Sequence, residues 1–272
     1  MDRPNSNTST RMNLNERLHG PSFYIQTRGW YFILSWGHRL TGILLVVFVW
    51  FHIYTLSSLT NTAEYQAKMA MVDGRLLKLL EWFLVLPVIF HTLNGGRLIL
   101  YESFQVRQDD AVAGWVMKLC AVFAALMAVL MLAGDQAVSA FFYWLTTLLL
   151  ALTVTVVLVE RLRKTAHTKQ WKLQRITGIF LLVMIPAHFL FMHLNDQVAR
   201  DAGQVTARLQ MPLVKLVDVA LLLAVLYHGW YGLNSVTADY VAGKRVRMFL
   251  SAVTAIVMVL SAGFGIQLLF AV

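Results

Sequence analysis

The chain has 272 residues, 58% of them apolar and only 14% charged, with long stretches almost free of charge, which excludes a soluble protein and indicates a membrane one. One cysteine, Cys120, excludes a disulfide framework, a Cys-x-x-Cys-His haem attachment and an iron–sulfur cluster held by this chain alone. The net charge of +9 lies mostly in short links between apolar segments, a pattern of membrane topology and not of nucleic-acid binding.

Residues 1–30 are polar and lack the apolar core of a signal peptide, which predicts a cytoplasmic N-terminal tail. A spanning helix takes about 20 apolar residues. By that measure the sequence predicts an all-α integral membrane helical bundle with spans at 32–57, 78–101, 112–133, 138–159, 175–194, 213–235 and 247–271. Arg3, Arg11, Arg17 and Arg28 precede the first span, Arg161, Arg163, Lys164, Lys169 and Lys172 separate the fourth and fifth, and Lys244, Arg245 and Arg247 separate the sixth and seventh. These ends are expected on the cytoplasmic side, with the N-terminus inside and the C-terminus outside. Lys68, Arg75 and Lys78 are a minor exception in an outer link. No Gly-x-Gly-x-x-Gly after a strand and no P-loop occurs, so flavin, nicotinamide or ATP chemistry belongs to another chain.

The first span opens with Ser35-Trp36-Gly37-His38-Arg39-Leu40-Thr41-Gly42 and carries His52. Gln174-Arg175-Ile176-Thr177-Gly178 opens the fifth, and Arg175 to His188 repeats the spacing of Arg39 to His52, an offset of 136. His91-Thr92-Leu93-Asn94-Gly95 finds its counterpart 137 residues on, in His228-Gly229-Trp230-Tyr231-Gly232. This predicts two parallel three-helix repeats, 31–134 and 163–272, joined by an extra transmembrane helix within 135–162 that restores the direction of the chain. Pro212 suits the first turn of the sixth span, and Pro87 and Pro186 lie inside spans just before His91 and His188.

At about 1.5 Å per residue, His52 lies roughly 21 Å beyond His38 on nearly the same face of its helix. His188 reaches a similar depth, while His91 and His228 return to the inner half. Two cross-repeat pairs at two depths suit two non-covalent haem b groups with histidine on both faces: His91 with His228 inside, and His52 with His188 outside, His193 being the alternative to His188. Gly95 and Gly232 follow the inner histidines by one turn, where a flat macrocycle would press; His38 is placed to meet a haem propionate, and Arg39 and Arg175 to meet haem propionates or a quinone oxygen. Repetition is what lifts these histidines above ordinary packing residues. His19 and His167 lie in polar segments, and Glu81, Glu102, Glu160 and Asp218 at helix ends are read as solvated.

The motifs Ser35-x-x-His38-Arg39-x-Thr41-Gly42 and His91-x-x-x-Gly95-x-Arg97 make the first half similar to the cytochrome b membrane-anchor subunit of succinate dehydrogenase and fumarate reductase. Arg175-x-Thr177-Gly178 and the His228 motif, followed by Asp239-Tyr240-Val241, make the second half resemble its small hydrophobic partner, as though two subunits were fused. The resemblance implies a haem-binding anchor in a bacterial or archaeal cytoplasmic membrane. Its partners would be a flavoprotein with FAD, which interconverts succinate and fumarate, and an iron–sulfur subunit that relays electrons to membrane quinone. It further implies a quinone site of Ser35, Arg39, Asp239 and Tyr240, in which the hydroxyls bond a carbonyl, Arg39 stabilises developing charge, and Asp239 or His38 relays protons. Two-haem relatives often use menaquinone; their familiar single-chain form has five helices, two fewer than expected here. A b-type subunit of a hydrogenase or formate dehydrogenase, or a transporter, are the alternatives. A colourless purified protein would indicate the last.

Overall fold

The computed structural model describes residues 21–71, 75–106, 109–133, 139–193 and 200–271. Among these residues all the regular structure is helical: α1 Pro21–Ser57, α2 Thr62–Met71, α3 Arg75–Phe104, α4 Asp109–Ala133, α5 Ala140–Arg163, α6 Lys169–Met192, α7 Ala202–Leu209, α8 Pro212–Tyr240 and α9 Lys244–Ala271, with a short 3₁₀ turn at Ser58–Thr60. Seven of these are long and apolar enough to cross a membrane. They answer the seven expected spans one for one. Continuous helix is the physical requirement here, because no water reaches a span to satisfy free backbone groups.

The ends differ from expectation in informative ways. Helix α1 begins at Pro21, so the last ten residues of the expected tail are helical; residues 1–20 lie outside the described residues. Pro212 does open α8, and α3 and α6 run through Pro87 and Pro186. Thr168 caps α6 by accepting a hydrogen bond from the Trp171 amide. Two short helices in the links were not expected from hydropathy. Asp201 caps α7 through the Gln204 amide at 2.7 Å, and Ala202 and Leu209 of α7 cluster with Tyr65 of α2, Leu59 of the 3₁₀ turn and Leu268 and Leu269 of α9.

The largest core joins α5, α6 and α8, with Trp144, Ala151, Met184 and Val217 fully enclosed. The connecting helix is therefore part of the packed second half and not a peripheral tether. A second cluster links α1 with α8 and α9 through Ile53, Leu222, Leu226 and Met258, and a third links α3 with α5 and α6 through Ile99, Leu158 and Leu162. Outward faces carry Phe51, Val122, Phe142, Val156 and Val259, all exposed, as lipid contact requires.

Candidate functional site

At the end where α1 begins and α8 finishes, Arg39 gathers three partners. Its Nη1 donates to Tyr240 Oη at 2.9 Å and to Ser35 Oγ at 3.2 Å, and its Nη2 donates to Asp239 Oδ2 at 3.0 Å. Ser35 sits one turn before Arg39 on α1, while Asp239 and Tyr240 end α8, so the four predicted residues do meet although 200 positions separate the halves. The Trp36 ring lies 5.1 Å from the Tyr240 ring and forms an aromatic wall that the sequence reading passed over. Because Arg39 supplies the donor to both hydroxyls, the Ser35 and Tyr240 hydroxyl hydrogens remain available to an incoming acceptor.

Deeper in the bundle, the His91 and His228 rings stand 6.3 Å apart at 85°, with His38 stacked on His91 at 3.9 Å. Two imidazoles on opposite faces of one metal, with metal–nitrogen bonds of about 2 Å, hold their rings about 6 Å apart. The pair therefore fits a shared iron. Two polar atoms beside it, His38 Nδ1 and Gln174 Oε1, are buried with no hydrogen-bond partner, which leaves them available to a polar group of a bound cofactor. They occupy matching places, since His38 and Gln174 differ by the 136-residue offset.

Farther along the same helices, His52 of α1 and His188 of α6 stand 6.4 Å apart at 88°. His193, the residue that caps α6, lies 5.8 Å from His52 and 5.6 Å from His188, and ligand atoms of all three fall within 4.8 Å of one another. His188 Nδ1 is a third buried atom without a hydrogen bond, 3.9 Å from Asp218 Oδ1. Asp218 is thus mostly buried beside a histidine, and the expectation that it is solvated fails.

Other expected residues find different neighbours. Arg175 forms an ion pair with Glu102 and lies over the Trp171 ring at 4.5 Å, so its guanidinium is engaged by a carboxylate that was read as solvated. Glu160 pairs with Arg163 on the surface, in keeping with its reading, while the Glu81 side chain lies outside the described residues. Gly95 leaves room for His38, whose Cε1 would stand 3.4 Å from an added Cβ, whereas an added Cβ at Gly232 meets nothing within 4 Å. The close approaches belong to Gly42, where a Cβ would stand 2.9 Å from His91 Cε1, and to Gly178, 3.2 Å from His228 Cε1. Both glycines stood in the repeated motif, and their duplication was the signal that could have assigned them.

The family profile for the succinate dehydrogenase/fumarate reductase transmembrane subunit matches residues 27–133 and again 160–264. The chain belongs to this family. As a member it is a multi-pass membrane protein, and the two matched segments flank most of α5. The succinate dehydrogenase hydrophobic membrane anchor subunit of Archaeoglobus fulgidus is 31% identical over 114 residues, 42% of this chain and 97% of that protein. The succinate dehydrogenase 2 membrane subunit SdhC of Mycobacterium tuberculosis is 33% identical over 66 residues, 24% of this chain and 48% of that protein. No solved structure matches.

Proposed function

We propose that this transmembrane subunit anchors a succinate:quinone oxidoreductase, binds two haem b groups and passes electrons between an iron–sulfur partner and membrane quinone. The observation that carries the reading is the placement of two histidine pairs, at 6.3 and 6.4 Å, at two depths of one bundle. His91 and His228 would hold the inner haem and His52 and His188 the outer one; the 6.4 Å separation favours His188 over His193 as the ligand opposite His52. Filled axial positions on both faces suit electron transfer. His38 and Gln174 offer unpartnered polar atoms at the inner site, and His188 Nδ1 one at the outer. Arg175, already paired with Glu102, would reach a propionate only by sharing its guanidinium.

The four residues around Arg39 supply the quinone chemistry. A quinone carbonyl seated against Trp36 would receive hydrogen bonds from the Ser35 and Tyr240 hydroxyls, while Arg39 lowers the energy of negative charge on the oxygen. Asp239, 53% exposed at its side chain, joins the site to water at the membrane edge and can hand on protons. Succinate and fumarate would be handled by a flavoprotein with FAD, joined through the iron–sulfur subunit at this basic end, which is taken as cytoplasmic. Menaquinone is the quinone expected of a two-haem member.

The test is haem b per chain in the purified complex by pyridine haemochrome. Two are expected, and His52→Ala or His188→Ala should remove one while sparing the other. A single haem in the wild type would withdraw the outer site, and none would withdraw the haem reading.

A further inference from the structure

We propose that Thr41 and Thr177 are matched positioning residues that fix the tautomer of the two inner histidines, turning Nε2 of each ring toward a metal. The inference rests on the haem reading above but goes beyond it, to residues in the repeated motif that no haem contact requires.

Consider His91 first. Its Nδ1 lies 3.0 Å from the His38 carbonyl oxygen and 3.3 Å from Thr41 Oγ1. A carbonyl only accepts, so Nδ1 must carry the hydrogen. The Thr41 hydroxyl donates its single hydrogen to the Gly37 carbonyl at 2.7 Å, which leaves a lone pair facing His91. Nε2 is then the unprotonated nitrogen, the form that binds iron.

The second repeat reaches the same state by the same means. Thr177 Oγ1 lies 3.4 Å from His228 Nδ1 and donates to the Leu173 carbonyl at 2.9 Å, so it too can only accept from the ring. The Gln174 amide nitrogen stands 3.4 Å from His228 Nε2, a contact open to an unprotonated Nε2 and one that a metal on that nitrogen would displace. Beside each threonine a glycine admits the ring: a Cβ at Gly42 or Gly178 would crowd His91 or His228 at Cε1. The Thr-Gly pair therefore works as one device on α1 and α6, with threonine setting the proton and glycine setting the approach. The two copies match in this respect as well, because the backbone of Gln174 hydrogen-bonds His228 as the backbone of His38 hydrogen-bonds His91, and each Nδ1 has a threonine oxygen beside it.

An N–H hydrogen bond to an acceptor raises the basicity of the ring's other nitrogen and favours the oxidised metal. Loss of the acceptor should therefore raise the midpoint potential of the inner haem. The experiment is a redox titration of haem b absorbance, with haem content measured in parallel, on the purified complex carrying Thr41→Val, Thr177→Val or the corresponding Ser variants. The expected result is a positive shift confined to one haem in each Val variant and absent in the Ser variants, which keep the hydroxyl. If a Val variant loses its haem, retention in the Ser variant supports the hydroxyl role and loss in both overturns it. Full haem content with unmoved potentials in both Val variants would also overturn the proposal while leaving the haem reading intact. A wild-type complex without haem would remove both.

Discussion

Arg39 divides its guanidinium among Ser35, Asp239 and Tyr240, and the consequence is that each partner can be removed with a separable effect. Tyr240→Phe deletes one proposed donor to the quinone and leaves the Arg39–Asp239 pair in place, so quinone turnover should fall about tenfold, the worth of roughly one hydrogen bond. Succinate oxidation by an artificial acceptor on the flavin side should be untouched; unchanged quinone turnover would remove Tyr240 from the site. Residues of this kind were legible in the sequence because their types are rare in apolar helices and their motif was specific. Trp36, Gln174 and the role of Thr41 were not, since indole, amide and hydroxyl groups are also ordinary in helices, and only their aim toward Tyr240, His228 and His91 distinguishes them.

Between elements, close approach depends on side chains that are absent. A Cβ at Gly265 of α9 would stand 2.7, 3.0 and 3.4 Å from Cδ2, Cδ1 and Cγ of Leu222 on α8, so rotation of that leucine alone does not clear the space. Gly265→Ala should lower the thermal midpoint, by an overpacking cost of about 1–3 kcal/mol set against the helix preference of alanine, worth roughly 1 kcal/mol. Gly263→Ala, two residues away and facing open space, should leave the midpoint unchanged or raise it. Equal effects of the two, read by the thermal shift of purified protein, would show that helix propensity governs both. At this scale hydropathy located all seven spans, because length and apolarity are all a bilayer asks. It missed α2 and α7, which are short and polar and gain their helical state by packing on the ends of the spans. It also placed Glu102 in solvent, because its partner Arg175 is 73 residues away and the ion pair exists only once α3 and α6 are side by side.

Across the whole molecule, the duplication produces two cross-repeat ion pairs, Arg39 with Asp239 and Arg175 with Glu102, in which each arginine reaches a carboxylate eleven residues past the inner histidine of the other half. The halves are thus held together twice at the same end of the bundle, and one pair, with Tyr240 and Ser35 beside it, is the quinone candidate. The counterparts of those two residues by the same offsets are Ser103 and Trp171, which explains why a symmetric scaffold yields one such constellation and not two. On the proposed function that end would face the iron–sulfur partner, and the charge pattern predicts that it is cytoplasmic. Single cysteines in a Cys120→Ala background test this directly: Asn61→Cys, exposed at the opposite end, should react with a membrane-impermeant maleimide in intact cells, whereas His167→Cys in the exposed α5–α6 link should react only after permeabilisation. The reverse pattern would put the quinone site on the outer face and separate it from any partner in the cytoplasm.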